Sequence, residues 1–258
     1  MPLKHLAFLV LFYLCGGVFT TFGFLRHKEL GPSYFRIHGL GLSGILFLSF
    51  LFLAPSHPES GFLSWFTLFL ACTIGFSIFT GLSTRLSMVT YFLGIICFFG
   101  IIHLDISQLE VSANPLALII NSTLASLVLG FSMGAMLLGH WYLTQPKLSI
   151  EELKRLTLMM ILFLVLKTFF CSYQIFDLVR GMSETQALKY FVKVPGVFVL
   201  MRFVWGLLGA FILSLLVWKT VKIRSTQSAT GILYVVVIAT LVGEILSVYL
   251  AFHFGIPL

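Results

Sequence analysis

Three ionisable side chains, Lys167, Arg202 and Glu244, stand inside stretches of sequence that are otherwise apolar. A charge in such a setting costs about 3 kcal/mol or more unless it is paired, hydrogen-bonded or facing a cavity, so each marks a candidate site. Arg202 and Glu244 fall on consecutive apolar runs of opposite direction. At 1.5 Å per residue both lie about 8 to 12 Å from the same end, which makes them a candidate ion pair. Lys167 has no acidic residue within one helical turn; its partner has to come from another helix, a carbonyl, water or a ligand. Asn121, His103, Asp105 and Asp177 add polar groups toward that same end. Apolar walls with a few convergent polar groups suit a quinone, whose ring carbonyls take hydrogen bonds while its tail stays in lipid. Arg202, Glu244, Lys167, Asn121 and His103 are therefore the candidate quinone- or ligand-binding residues. The competing reading of Arg202 and Glu244 is a static pair that fixes helix register.

Seven histidines raise the question of haem, which is held by axial imidazoles. His5, His27, His38, His103, His140 and His253 all fall at the ends of apolar runs or between them, with no two on one helix at ligand-like spacing. Haem is not expected, and no metal site is read. The string Gly139-His140-Trp141-Tyr142 fits an aromatic belt at a membrane surface, with His140, Trp141 and Tyr142 as candidate interface or headgroup contacts. Cys15, Cys72, Cys97 and Cys171 are isolated, without CxxC spacing, and read as small packing residues. No GxSxG, HExxH or phosphate-binding loop occurs, so no catalytic residue is assigned. An enzymatic role is open only as the quinone-binding subunit of an oxidoreductase complex. Ser149 and Glu152 have the spacing of a capping box ahead of an apolar run.

These groups need helices to hold them, and the composition says which kind. Of 258 residues, 59% are hydrophobic and 10% charged, against about 25% charged in a soluble domain. Such a chain is not a water-soluble globule. Eight runs are long enough to cross a bilayer: 5–25, 39–54, 62–81, 88–103, 117–139, 156–178, 197–218 and 231–252. The expected fold is an all-α integral membrane protein of eight transmembrane helices. The first run continues past Gly17 into a basic cluster, the flank of an uncleaved span. The odd-numbered connections hold ten basic residues and the opposite side four. The positive-inside rule then puts both termini outside a bacterial cytoplasmic membrane. The net charge of +7 is a signal of topology, with no nucleic-acid partner implied.

The halves resemble each other. Tyr91 precedes Gly100 by nine residues, as Tyr234 precedes Gly243, and Trp65 and Trp205 stand one run earlier. A tandem duplication would give two four-helix bundles, 1–116 and 117–258. The spacing of Gly130 and Gly134 forms a GxxxG that lets helices approach closely.

Arg202 in the seventh run and Gly243-Glu244-Ile245-Leu246 in the eighth give the chain a resemblance to the quinone-interacting membrane anchor subunits of dimethyl sulfoxide and polysulfide reductases. The resemblance implies a quinone site near the outer surface, an anchor without haem, and partner subunits carrying iron–sulfur clusters and a molybdenum cofactor. Where that family places a histidine in its second span, this chain offers only His57 in the following connection. The expected function is that of an integral membrane subunit of a bacterial respiratory or photosynthetic electron-transfer complex, binding quinone or lipid between helices. The other class it fits is a small stand-alone transporter or channel.

Overall fold

The computed structural model describes residues 3–53, 60–107, 114–145 and 148–258, leaving aside the side chains of residues 52, 53, 60, 105 and 107. His57, Lys147 and the Asp105 side chain lie outside the described residues. All regular structure among them is helical: α1 Leu3–Thr21, α2 His27–Leu53, α3 Ser60–Phe79, α4 Thr84–Ser107, α5 Pro115–Thr144, α6 Glu151–Val179, α7 Glu184–Val192, α8 Val194–Met201, α9 Ala210–Lys222 and α10 Thr226–Phe254. A 3₁₀ turn, Phe22–Phe24, follows α1, and a π-helical segment, Arg202–Gly209, joins α8 to α9. Eight helical segments are long and apolar enough to cross a membrane, the seventh being α8, the π segment and α9 together.

The helices run past the apolar stretches that announce them. Asn114 caps α5 by accepting the Leu116 N–H at 2.9 Å, and Pro115 takes the first turn, where its missing N–H costs nothing. α2 begins twelve residues before the apolar run at Gly39, and Gly31, at φ 73°, bends it just ahead of Pro32. The capping box expected at Ser149 and Glu152 does not form. Ile150 is the N-cap of α6, and the Glu152 carboxylate instead accepts the Arg26 N–H at 3.1 Å. A capping box does open α7, where Ser183 N–H donates to Gln186 Oε1 at 3.0 Å. The seventh span has no proline or Gly-Gly pair at its middle, yet its helix widens there into the π segment, within which Gly206 and Gly209 fall.

α1 is the central helix. Of its most apolar window 78% is buried, against 33% to 56% for the other spans. It packs on α2, α5 and α10, while α3 pairs with α4 and α10 lies against α5 and α9. In lipid, association rests on close packing because the tails are as apolar as the helices. Accordingly α1 and α5 touch backbone to backbone. A Cβ on Gly17 would lie 1.9 Å from the Ser126 carbonyl oxygen, and one on Gly130 2.1 Å from the Gly17 carbonyl carbon. Around α1 the core is aromatic, with Phe12 and Phe98 rings 5.1 Å apart and Phe19 and Phe76 5.5 Å apart. Large apolar residues such as Phe92, Ile96 and Phe169 face outward, where a soluble protein would place charge.

Candidate functional site

Four helical segments bring their polar residues to one level in the second half of the chain. Asn121 is the seventh residue of α5, Lys167 the seventeenth of α6, Arg202 the first of the π segment and Glu244 the nineteenth of α10. At 1.5 Å per residue, each is about 10 to 18 Å from the end of the bundle where α6 stops and α8 starts. Arg202 Nη2 donates to Glu244 Oε1 at 2.6 Å, and Lys167 Nζ stands 3.7 Å from Glu244 Oε2. Lys167 also donates to the Asn121 carbonyl oxygen at 3.0 Å and to Asn121 Oδ1. Asn121 Nδ2 donates to Ser247 Oγ at 3.2 Å, and Ser247 Oγ donates to the Leu258 main-chain oxygen. All five side chains are buried, none more than 3% exposed.

The result is a continuous polar string across the bundle, Arg202 to Glu244 to Lys167 to Asn121 to Ser247. In it one side-chain carboxylate, Glu244, serves two cations, while the Leu258 main-chain oxygen closes the string beyond Ser247. Arg202 Nε and Nη1 are buried without a hydrogen-bond partner among the described residues. Room for the guanidinium comes from a glycine crossing. A Cβ on Gly243 would meet Arg202 Nη1 and Gly206 Cα, each at 2.7 Å.

Beside this string, an apolar cleft of about 300 Å³ opens between α6 and span seven, lined by Ser172, Ile175, Phe176, Phe191, Val199, Leu200 and Phe203. Phe176 and Leu200 are 66% and 46% exposed, so the cleft opens on the outer, membrane-facing surface. Val199 precedes Arg202 by three residues, and Cys171 follows Lys167 by four. Both belong to one buried apolar cluster, and Val199 also lines the cleft. The amphipathic α7 contributes Phe191 to the cleft and leaves Leu188 and Val192 70% and 76% exposed.

Of the residues read from sequence as ligand-binding, Arg202, Glu244, Lys167 and Asn121 come together, and His103 does not: it is exposed on α4. Asp177 pairs with Arg180 at 3.7 Å on the surface. Ser247 and Gly206 complete the cluster and escaped the sequence reading. Their signal is helical spacing, three residues after Glu244 and four after Arg202. At the opposite end of the bundle, Trp141 packs edge-on to Tyr34 and His38, Tyr142 Oη donates to the Ser149 carbonyl, and His140 Nδ1 lies 3.5 Å from Tyr234 Oη. There Glu152, 1% exposed, gathers Arg155 Nη1 at 3.2 Å and Arg26 Nε at 3.7 Å, tying the start of α6 to the link between the 3₁₀ turn and α2. Among the described residues no three His, Cys, Asp or Glu side chains group as metal ligands.

Comparison with models of protein families, with curated proteins and with solved structures finds no match.

Proposed function

We propose that the chain is an integral membrane subunit of a bacterial electron-transfer complex, and that its second half holds a quinone or lipid at the Arg202–Glu244–Lys167 cluster. The observation that carries this reading is a buried polar string whose Arg202 stands one helical turn from Val199, a wall residue of an apolar cleft with exposed rims. Donors next to an apolar channel are what a headgroup with a long tail requires. Chemistry on soluble substrates then belongs to partner subunits, because the spans account for most of the chain. The anchor resemblance carried by Arg202 and Gly243-Glu244 fits this division of labour.

The same reading includes a duplicated architecture of two four-helix bundles, with both termini on the outer face. Supporting it, Tyr91 Oη of α4 donates to the Thr20 carbonyl at the end of α1 at 2.9 Å, while Tyr234 of α10 meets His140 near the end of α5. Gly100 packs on Trp65, and Gly243 packs on Gly206, the neighbour of Trp205.

Purification in mild detergent, with mass spectrometry of co-eluting proteins and lipids and a reduced-minus-oxidised spectrum, tests the proposal. Redox subunits and a quinone in the eluate are the expected result. A colourless oligomer of this chain alone would overturn it in favour of a transporter. One observation favours that second reading: the π segment begins at the buried Arg202, and irregular helices at charged positions within the membrane are a feature of transport sites.

A further inference from the structure

In the first half of the chain, at the end of the bundle where α1 stops and α2 starts, two cavities meet. One, of about 450 Å³, is walled by the rings of Phe22, Phe24, Phe76, Tyr91 and Phe92. The other, of about 210 Å³, lies between the start of α2 and the α3–α4 turn, edged by Lys28, Thr80 and Thr84. His27, Ser87 and Met88 line both, so the two are neighbouring parts of one groove. The larger part alone falls within the size range of small-ligand sites. Phe92 and Met88 are 62% and 56% exposed, which opens the aromatic part sideways on the surface a spanning helix turns to lipid.

The two parts differ in chemistry and in depth. In the smaller, Lys28 is exposed and forms no ion pair among the described residues. Arg36, whose Nη2 donates to the Thr80 carbonyl at 3.4 Å, stands beside it. No acidic side chain lines either part; Glu29, next to Lys28 in sequence, is in neither wall. His27 stacks on Phe35 with ring centres 3.9 Å apart, which fixes its imidazole in the shared wall. The hydroxyl of Ser87, a residue only 5% exposed, lies 3.3 Å from Thr80 Oγ1, long for a pair of hydroxyls. Thr80 gives its own proton to the Phe76 carbonyl at 2.6 Å, so the Ser87 proton is free for a stronger acceptor in the groove. Cationic and hydroxyl donors without a carboxylate suit an anionic oxygen. The aromatic part lies about one turn farther along the helices: the polar part takes positions 84–88 of α4 and 80–81 near α3, the aromatic part 87–92 and 76. Charge at the helix ends and rings one turn deeper is the order of a lipid headgroup and its chain.

We infer that this groove is a docking site for one anionic phospholipid of the leaflet at this end, its phosphate against Lys28 and Ser87 and an acyl chain along the rings. Basic pockets between spans recognise acidic lipid headgroups in this way. The site is separate from the Arg202–Glu244 cluster and does not rest on the reading of that cluster.

The full chain, purified in a neutral detergent and stripped of lipid, is titrated with dioleoyl phosphatidylglycerol and with dioleoyl phosphatidylcholine, which share chains and differ in net charge. Native mass spectrometry counts the bound lipids and thermal shift reads the stabilisation. The first phosphatidylglycerol should bind about fivefold tighter or more, the value of one lysine beside an acidic headgroup. Lys28→Gln should remove that preference, whereas Lys219→Gln, an exposed cation in the last turn of α9 at the same end of the bundle, should keep it. Met88→Trp, on the exposed wall that both parts share, should weaken both lipids while leaving the lipid-free unfolding midpoint in place. Equal binding of the two lipids overturns the inference. So does an equal loss of preference in Lys28→Gln and Lys219→Gln, which would make the attraction a diffuse one of the whole basic end. Displacement of phosphatidylglycerol by inorganic phosphate, or by a short-chain ubiquinone, at matched concentration also overturns it and makes the groove a site for a free anion or a quinone.

Discussion

Glu244 should be the least replaceable member of the buried cluster, because its carboxylate contacts both cations. Arg202→Leu removes a charge-assisted bond of 2.6 Å, yet leaves Lys167 and Glu244 facing each other at 3.7 Å with charges balanced. The expected cost is about 1.5 to 3 kcal/mol, the value of one hydrogen bond to a charged group. Glu244→Gln keeps the shape but strands Arg202 and Lys167 together, both at most 1% exposed. Stranding one buried charge costs about 3 to 5 kcal/mol, so two belong at the top of that range. A gap of roughly 2 to 3 kcal/mol between the variants is about 30- to 150-fold in the folding equilibrium. Lys167→Met supplies the decisive control. Alone it destabilises by roughly 1 to 3 kcal/mol, since Asn121 loses its donor. In the Glu244→Gln background it removes one of two stranded cations and should stabilise. Unfolding in mixed micelles, followed by circular dichroism and tryptophan fluorescence, measures all four proteins. A Glu244→Gln variant no less stable than Arg202→Leu, or a Lys167→Met effect of the same sign in both backgrounds, would show that the three charges are not coupled.

Two further predictions concern packing and sidedness. Ala at Gly243 must push apart the backbone at Gly206, 2.7 Å from the new Cβ, and should cost about 1 to 3 kcal/mol; Ala at Gly100, whose Cβ meets the Trp65 ring at 3.0 Å, should cost less, and equal unfolding midpoints would contradict this ranking. Because all four native cysteines are buried, a single cysteine can report topology. At position 189 on α7 it should react with a membrane-impermeant maleimide on intact cells, and at position 222 only after permeabilisation; the reverse pattern would invert the orientation.

The sequence made the helices easy to find and their interiors hard. Eight apolar runs correspond to eight helical segments of spanning length because a bilayer core imposes length and apolarity together. Helix ends were less legible: the interfacial stretch 28–36 carries Lys28, Glu29 and Arg36 yet is helical on either side of the bend at Gly31. Equal depth on antiparallel neighbours was enough to pair Arg202 with Glu244. Lys167 could be recognised as needing a distant partner but not assigned one, because choosing Asn121 and Glu244 requires knowing which helices touch. The π segment left no sign in composition: Gly206 and Gly209 are ordinary residues of a membrane helix until their neighbour Arg202 is seen to need space.

That need for space links the packing of the second half to its charge. In α4, Gly100 packs against the six-membered ring of Trp65, an apolar contact with α3. In α10 the glycine at the matching place, Gly243, faces another glycine, and no indole fills the gap because Trp205 is 52% exposed. Two glycines in contact would leave a hole beside them, and the guanidinium of Arg202 occupies it, its Nη1 lying where a Cβ on Gly243 would be only 2.7 Å away. A cation placed in that hole then demands the carboxylate one residue along α10.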